Sequence, residues 1–124
     1  MIVSLYAALL ALFYIYLTMN VVKVRRAERI SLGDGGNQQL QCAMRAHGNF
    51  IEYVPLAIIL LFLVEYQGLA SHYCHAFGAA LLIGRVFHNL GIVDKNLRYR
   101  QIGALTTFLI IVLNAFILLL TRLY

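Results

Sequence analysis

Arg45, Asn49 and Glu52 recur at i, i+4 and i+7. On a helix they would form one stripe carrying a guanidinium, an amide and a carboxylate over ~10 Å. Tyr53 lies beside the stripe and Pro55 follows. Arg85 and His88 make a second pair at i, i+3, Arg100 opens a long uncharged run, and Arg25 and Arg26 follow another. Arginine and asparagine can hold carboxylates, arginine through paired bonds, and a glutamate can hold an amine. Gathered together, the set would suit an anionic, polar ligand with its own ammonium group.

Each residue also has a plainer use. Arg45 could pair with Glu52 along the helix or with a lipid headgroup. Arg85 could pair with Glu52 across helices as structural glue. His88 could be a hydrogen-bonded imidazole and nothing more. Lys23, Arg25, Arg26 and Arg29 could serve topology alone. Glu65, His72 and His75 look like interface residues.

The elements that must hold these groups follow from composition. Of 124 residues, 62% are hydrophobic and 12% charged; a soluble domain is roughly half apolar and about a quarter charged. Met1 to Val22 contains no Asp, Glu, Lys or Arg, and at ~1.5 Å per helical residue it can cross ~30 Å of hydrocarbon. Spans are expected at 1–22, 42–66, 69–92 and 100–121. Between them lie a polar loop at 23–41, a tight turn at Gln67-Gly68 and a short loop at 93–99. The expected fold is an all-α membrane protein, a four-transmembrane-helix up-down bundle. The apolar part of the second span, Tyr53 to Val64, is short. That helix must therefore carry Arg45, Asn49 and Glu52 in its first turns.

Charge sets an orientation. Lys23, Arg25, Arg26, Arg29, Arg45, Lys95, Arg98 and Arg100 all fall toward one face, here face A, and only Arg122 lies near the opposite face B. The positive-inside rule places face A, with loops 23–41 and 93–99, in the cytoplasm and both termini on the other side. No basic residue precedes Lys23, so the first segment is expected to be a retained helix and not a signal peptide. The net charge of +5 is explained by topology, and no nucleic-acid role is expected. Cys42 and Cys74 belong to opposite faces, too far apart for a disulfide. His72 and His75 have no third ligand nearby, so no metal site is expected. Ala79, Ala80 and Gly84 could support close packing in an oligomer.

The run Arg45-Ala46-His47-Gly48-Asn49-Phe50-Ile51-Glu52-Tyr53-Val54-Pro55 resembles the R-x-x-x-N-x-x-E-x-x-P signature of the MAPEG family, the membrane-associated proteins in eicosanoid and glutathione metabolism. Gly84-Arg85-Val86-Phe87-His88 is similar to that family's third-helix pattern R-x-x-[HY]. Arg25-Arg26-Ala27 resembles the basic end of its first helix, and Arg100-Gln101-Ile102-Gly103 the start of its fourth. The compact loops are like those of bacterial members, which implies a bacterial inner membrane.

The resemblance implies a homotrimer with glutathione as co-substrate, bound between protomers near the cytoplasmic face. Arg45, Asn49, Glu52, Tyr53, Arg85 and His88 would line that site, joined by Arg25 or Arg26 of the adjacent protomer. Arg100 matches the arginine that stabilises the glutathione thiolate. The implied activity is a transferase or peroxidase acting on lipophilic electrophiles or hydroperoxides, with membrane lipids as surroundings. One departure is visible: several eicosanoid-forming members carry Tyr four residues after the R-x-x-[HY] position, where this chain has Ile92. A non-catalytic lipid-binding or partner-binding module of the same fold is the alternative. A proton-coupled exporter would typically need an acidic residue inside the first span, and there is none.

Overall fold

The computed structural model describes residues 1–123. They form four α-helices, α1 (Val3–Glu28), α2 (Gln38–Tyr66), α3 (Ser71–Val93) and α4 (Leu97–Leu123), with no strand among the described residues. All four are long and apolar enough to cross a membrane. The chain is an integral membrane protein.

Every helix reaches past hydrocarbon length. The shortest, α3, has 23 residues, or about 35 Å at ~1.5 Å per residue. The surplus lies mostly at face A. There α1 continues to Glu28, α2 begins at Gln38, and α4 begins at Leu97 instead of Arg100. Lys, Arg, Gln and Glu are good helix formers, so a charged stretch outside the hydrocarbon need not unwind. The helix ends are set by caps. Arg29 turns left-handed (φ 56) to close α1. The Asn37 side chain accepts from Leu40 N at 2.9 Å to open α2. Asn96 Oδ1 accepts from Tyr99 N at 3.3 Å at the start of α4. At face B, Gly68 takes φ +96, the left-handed turn that the Gln67-Gly68 pair predicts.

Leu10 and Leu17 of α1, Ala46, Phe50, Val54 and Ala57 of α2, Leu81 and Ile92 of α3 and Ile110 of α4 pack into one apolar core. The tightest seam joins α3 to α4. Gly84 faces Gly103 and Thr106, Gly91 faces the backbone of Arg100, and Gly103 faces His88. A Cβ on Gly103 would lie 2.6 Å from His88 Cβ, closer than packed carbons approach. Gly84 therefore serves packing inside the protomer.

Face B is stapled by side chains. α1 has no side-chain cap of its own. Instead Glu65, at the end of α2, accepts from Ile2 N at 2.5 Å and Val3 N at 2.8 Å. His75 Nδ1 bonds the Tyr6 hydroxyl at 3.0 Å, and the Tyr6 ring lies on Gly78. Glu65 and His75, expected as interface residues at face B, also hold α1 in place.

Candidate functional site

The stripe forms as its spacing predicts. α2 is continuous through Arg45, Asn49 and Glu52. Arg45 Nη1 lies 3.6 Å from Glu52 Oε1, with the two side chains 56% and 49% exposed. Gly48 beneath them leaves open room: a Cβ there would meet Arg45 Nη1 at 3.4 Å and Glu52 Oε1 at 3.9 Å. A spanning helix thus carries a half-open ion pair on its outer face. Such a pair is costly against lipid unless something covers it.

Arg85 behaves differently. It is 2% exposed. Its Nη2 donates to Asn49 Oδ1 at 2.5 Å and its Nη1 to Thr107 Oγ1 at 3.2 Å. Thr107 in turn donates to Gly103 O at 3.0 Å. The Arg85 cross-helix partner is therefore Asn49, not Glu52. Asn49 is within reach because it faces α3, whereas Glu52 is held by Arg45. One guanidinium ties α2, α3 and α4 together, and its buried Nε has no partner. His88, 3% exposed, sits one turn nearer face A against Gly103.

Arg100 stands in the first turn of α4, exposed. It shares with Arg45 a cavity of about 370 Å³ between α2, α3 and α4, also lined by Gln41, Ile92 and Lys95. Tyr53 packs edge-on against Phe108 of α4, ring centroids 5.0 Å apart. This orients the tyrosine at the deep end of the stripe. Arg25 points elsewhere within the protomer. Its Nη1 donates to Gly33 O at 2.7 Å and Ile30 O at 3.3 Å, bracing the first loop. Arg26 is exposed, and neither arginine lines the Arg45–Arg100 cavity.

The structure thus brings Arg45, Asn49, Glu52, Arg85, His88 and Arg100 to the face-A ends of three helices, and leaves Arg25 and Arg26 on the first. Thr107 and Lys95 were not singled out as site residues. A signal for Thr107 was available: it is a hydroxyl two turns into the fourth span, at i+7 from Arg100. Among the described residues no cluster of His, Cys, Asp or Glu could hold a metal ion. Both cysteines are free.

A model of the MAPEG family matches residues 3–120. The chain belongs to the MAPEG family. It is 39% identical over 108 residues to Inner membrane protein YecN of Escherichia coli (strain K12), covering 87% of this chain and 82% of that protein. Inner membrane protein YecN of Escherichia coli O6:H1 matches with the same identity and coverage. The stripe, the buried Arg85 and the α3–α4 glycine seam all lie within the matched residues of this MAPEG chain.

The donor set defines which ligands fit. Two exposed guanidiniums, Arg45 and Arg100, border one cavity. The free side of Glu52 is the only carboxylate on the stripe. The Asn49 oxygen is taken by Arg85, which leaves its NH₂ to donate.

Proposed function

We propose that this protein is a glutathione-dependent transferase or peroxidase of the bacterial inner membrane, working as a homotrimer. The observation that carries this reading is the exposed Arg45–Glu52 pair on a spanning helix, whose Arg45 borders a cavity with Arg100. Glutathione has two carboxylates, one ammonium and two amides, which matches the donors available. A neighbouring protomer would cover the pair and bring Arg25 or Arg26 to the ligand. Face A is the cytoplasmic side in this reading, where glutathione is dissolved, and both termini lie opposite. Membership of the MAPEG family and the inner-membrane relatives support it.

The residues take separate parts. Arg45 and the Asn49 NH₂ would hold carboxylate, and Glu52 the ammonium. Arg85, fixed by Asn49 and Thr107, keeps α2 at a set distance from α4 and acts as a positioning residue, with His88 buried behind it against Gly103 and Tyr53 at the deep end of the stripe against Phe108. Arg100 would hold the sulfur. A free thiol has pKa about 8.5 and is mostly protonated at neutral pH; a guanidinium in hydrogen-bonding range favours the thiolate. Glutathione supplies that thiol: its sulfur bonds either to a lipophilic electrophile, whose displaced group or adduct takes up a proton, or to the terminal oxygen of a hydroperoxide. In the second case the O–O bond breaks, the alkoxide takes up a proton and a second glutathione converts the resulting sulfenic acid to disulfide and water. Replacing Arg100 with Leu is expected to lower turnover far more than glutathione binding. Intact turnover in that variant would show that Arg100 does not hold the sulfur.

A second reading is a non-catalytic lipid-binding or partner-binding module. Ile92 favours it: the residue is 7% exposed and borders the Arg45–Arg100 cavity, so that wall is aliphatic where several relatives carry a tyrosine. Purified protein that keeps lipid and never binds glutathione would decide for this reading.

A further inference from the structure

Face A holds a second and larger cavity, about 500 Å³, between α1, α2 and α3. Its polar lining is Asn20 and Lys23 from α1, Gln38 and Gln39 from α2, Asn89 from α3 and Lys95 from the connection after α3. The rest is aliphatic apart from Tyr16 and Cys42. Arg45, Glu52 and Arg100 do not border it, but Gln38, Cys42 and Lys95 line both cavities, so the two adjoin at the start of α2.

Three features give it a chemistry. No Asp or Glu lines it, and the ion pair found among the described residues is Arg45–Glu52. Two ammonium groups thus face one hollow without a carboxylate. Four amide side chains surround them and can donate. Lys95 also holds its place at a cost. Its φ is 54, left-handed, in the turn where Asp94 N reaches Leu90 O at 2.8 Å and Asn96 N reaches Gly91 O at 2.9 Å. Glycine is the usual residue there. A lysine closes the helix no better than glycine, but it places an ammonium at the helix C-terminus and over the cavity.

We propose that this cavity binds a phosphate group between Lys23 and Lys95, presented by a lipid headgroup or by a soluble phosphate ester. A lysine ammonium is a compact point charge that binds phosphate well, and two of them with four amide donors and no carboxylate supply the charge and hydrogen bonds a phosphate needs. The volume exceeds what a bare carboxylate needs. Lys23 directly follows the uncharged run of α1, at headgroup depth, while the aliphatic lining continues toward the bilayer. Lys23 borders this cavity alone, whereas Lys95 borders the Arg100 cavity as well, so Lys23→Gln is the variant specific to this site.

The test uses the full-length protein, stripped of lipid in detergent. It is titrated calorimetrically with dihexanoyl phosphatidylglycerol and, separately, with glycerol 3-phosphate. Saturable binding of at least one is expected. Each of Lys23→Gln and Lys95→Gly should weaken it about tenfold, as removal of one charge-assisted contact implies, while Arg100→Leu should leave it unchanged. Lys95→Gly should keep or raise the thermal midpoint, because glycine suits that φ, so lost binding cannot be lost folding. Binding of the lipid alone assigns a headgroup; equal binding of glycerol 3-phosphate assigns a soluble ester. Saturation by neither probe, or binding indifferent to both lysine variants, overturns the proposal. So does binding that Arg100→Leu abolishes, since the anion would then sit in the other cavity.

Discussion

Gly103→Ala tests the packing that positions the site. The added methyl would lie 2.6 Å from both His88 Cβ and His88 N and would press on the Gly84 carbonyl. Ordinary contacts begin near 3.4 Å, so the seam must open by about 0.8 Å, the difference between those distances. Backbone on both sides leaves no flexible side-chain end to absorb it. Overpacking of this kind costs typically about 1–3 kcal/mol. The same displacement moves Arg100 on α4 away from Arg45 on α2, and a misplacement of ~1 Å can cost on the order of a hundredfold in rate. The assay is a thermal melt in detergent followed by glutathione-dependent turnover. Gly48→Ala is the matched control: its methyl meets only the mobile tips of Arg45 and Glu52 at 3.4 and 3.9 Å. In a helix that exchange favours alanine by up to ~1 kcal/mol, so its melt should be unchanged or higher. A Gly103→Ala protein that melts and turns over like the parent would refute the view that the glycine seam fixes the geometry.

Asn49→Leu removes the oxygen that receives Arg85 Nη2 and leaves a buried guanidinium with Thr107 as its remaining partner. A loss of about 1.5–3 kcal/mol is expected for a hydrogen bond to a charged group, read as a lower thermal midpoint, whereas Asn49→Asp should retain most of the stability. Glu65→Gln should loosen the start of α1 by about 1 kcal/mol; hydrogen exchange at Ile2 and Val3 would quicken while amides in mid-α3 stay protected. Asn114 is fully buried, spends its NH₂ on Ile110 O and leaves its oxygen without a partner. Asn114→Leu should therefore raise the melting midpoint, by an amount equivalent to about 1 kcal/mol; a fall would mean the oxygen has an occupant.

The parts legible in the sequence were those governed by local physics. Uncharged runs of spanning length marked α1 and α4, shorter apolar runs marked α2 and α3, and Gln67-Gly68 marked a turn because glycine can take φ +96. The i, i+4, i+7 spacing put Arg45, Asn49 and Glu52 on one face because helical geometry allows nothing else. The helix ends at face A were less legible, since absence of charge marks the hydrocarbon boundary and not the end of the helix. α1 accordingly runs through Lys23, Arg25 and Arg26 to Glu28. Partner choice was not legible at all. Glu52 is the partner the sequence suggests for Arg85, yet Asn49 lies three residues away on α2, and only the azimuth of α2 against α3 selects it. Arg25 likewise carries a charge suited to a ligand, yet the loop carbonyls of Ile30 and Gly33 engage it. Glu65 caps α1 from the far end of α2, a contact that depends on how the two helices align.

The most direct measurement is a titration of the purified protein with reduced glutathione, following bound heat and thiolate absorbance together. Saturable binding with thiolate formation is predicted. Arg45→Leu and Glu52→Gln should abolish the binding, whereas Arg100→Leu should abolish the thiolate signal and keep most of the heat. A well-folded protein that binds no glutathione at millimolar concentration would contradict the proposed chemistry and leave the lipid-binding module in its place.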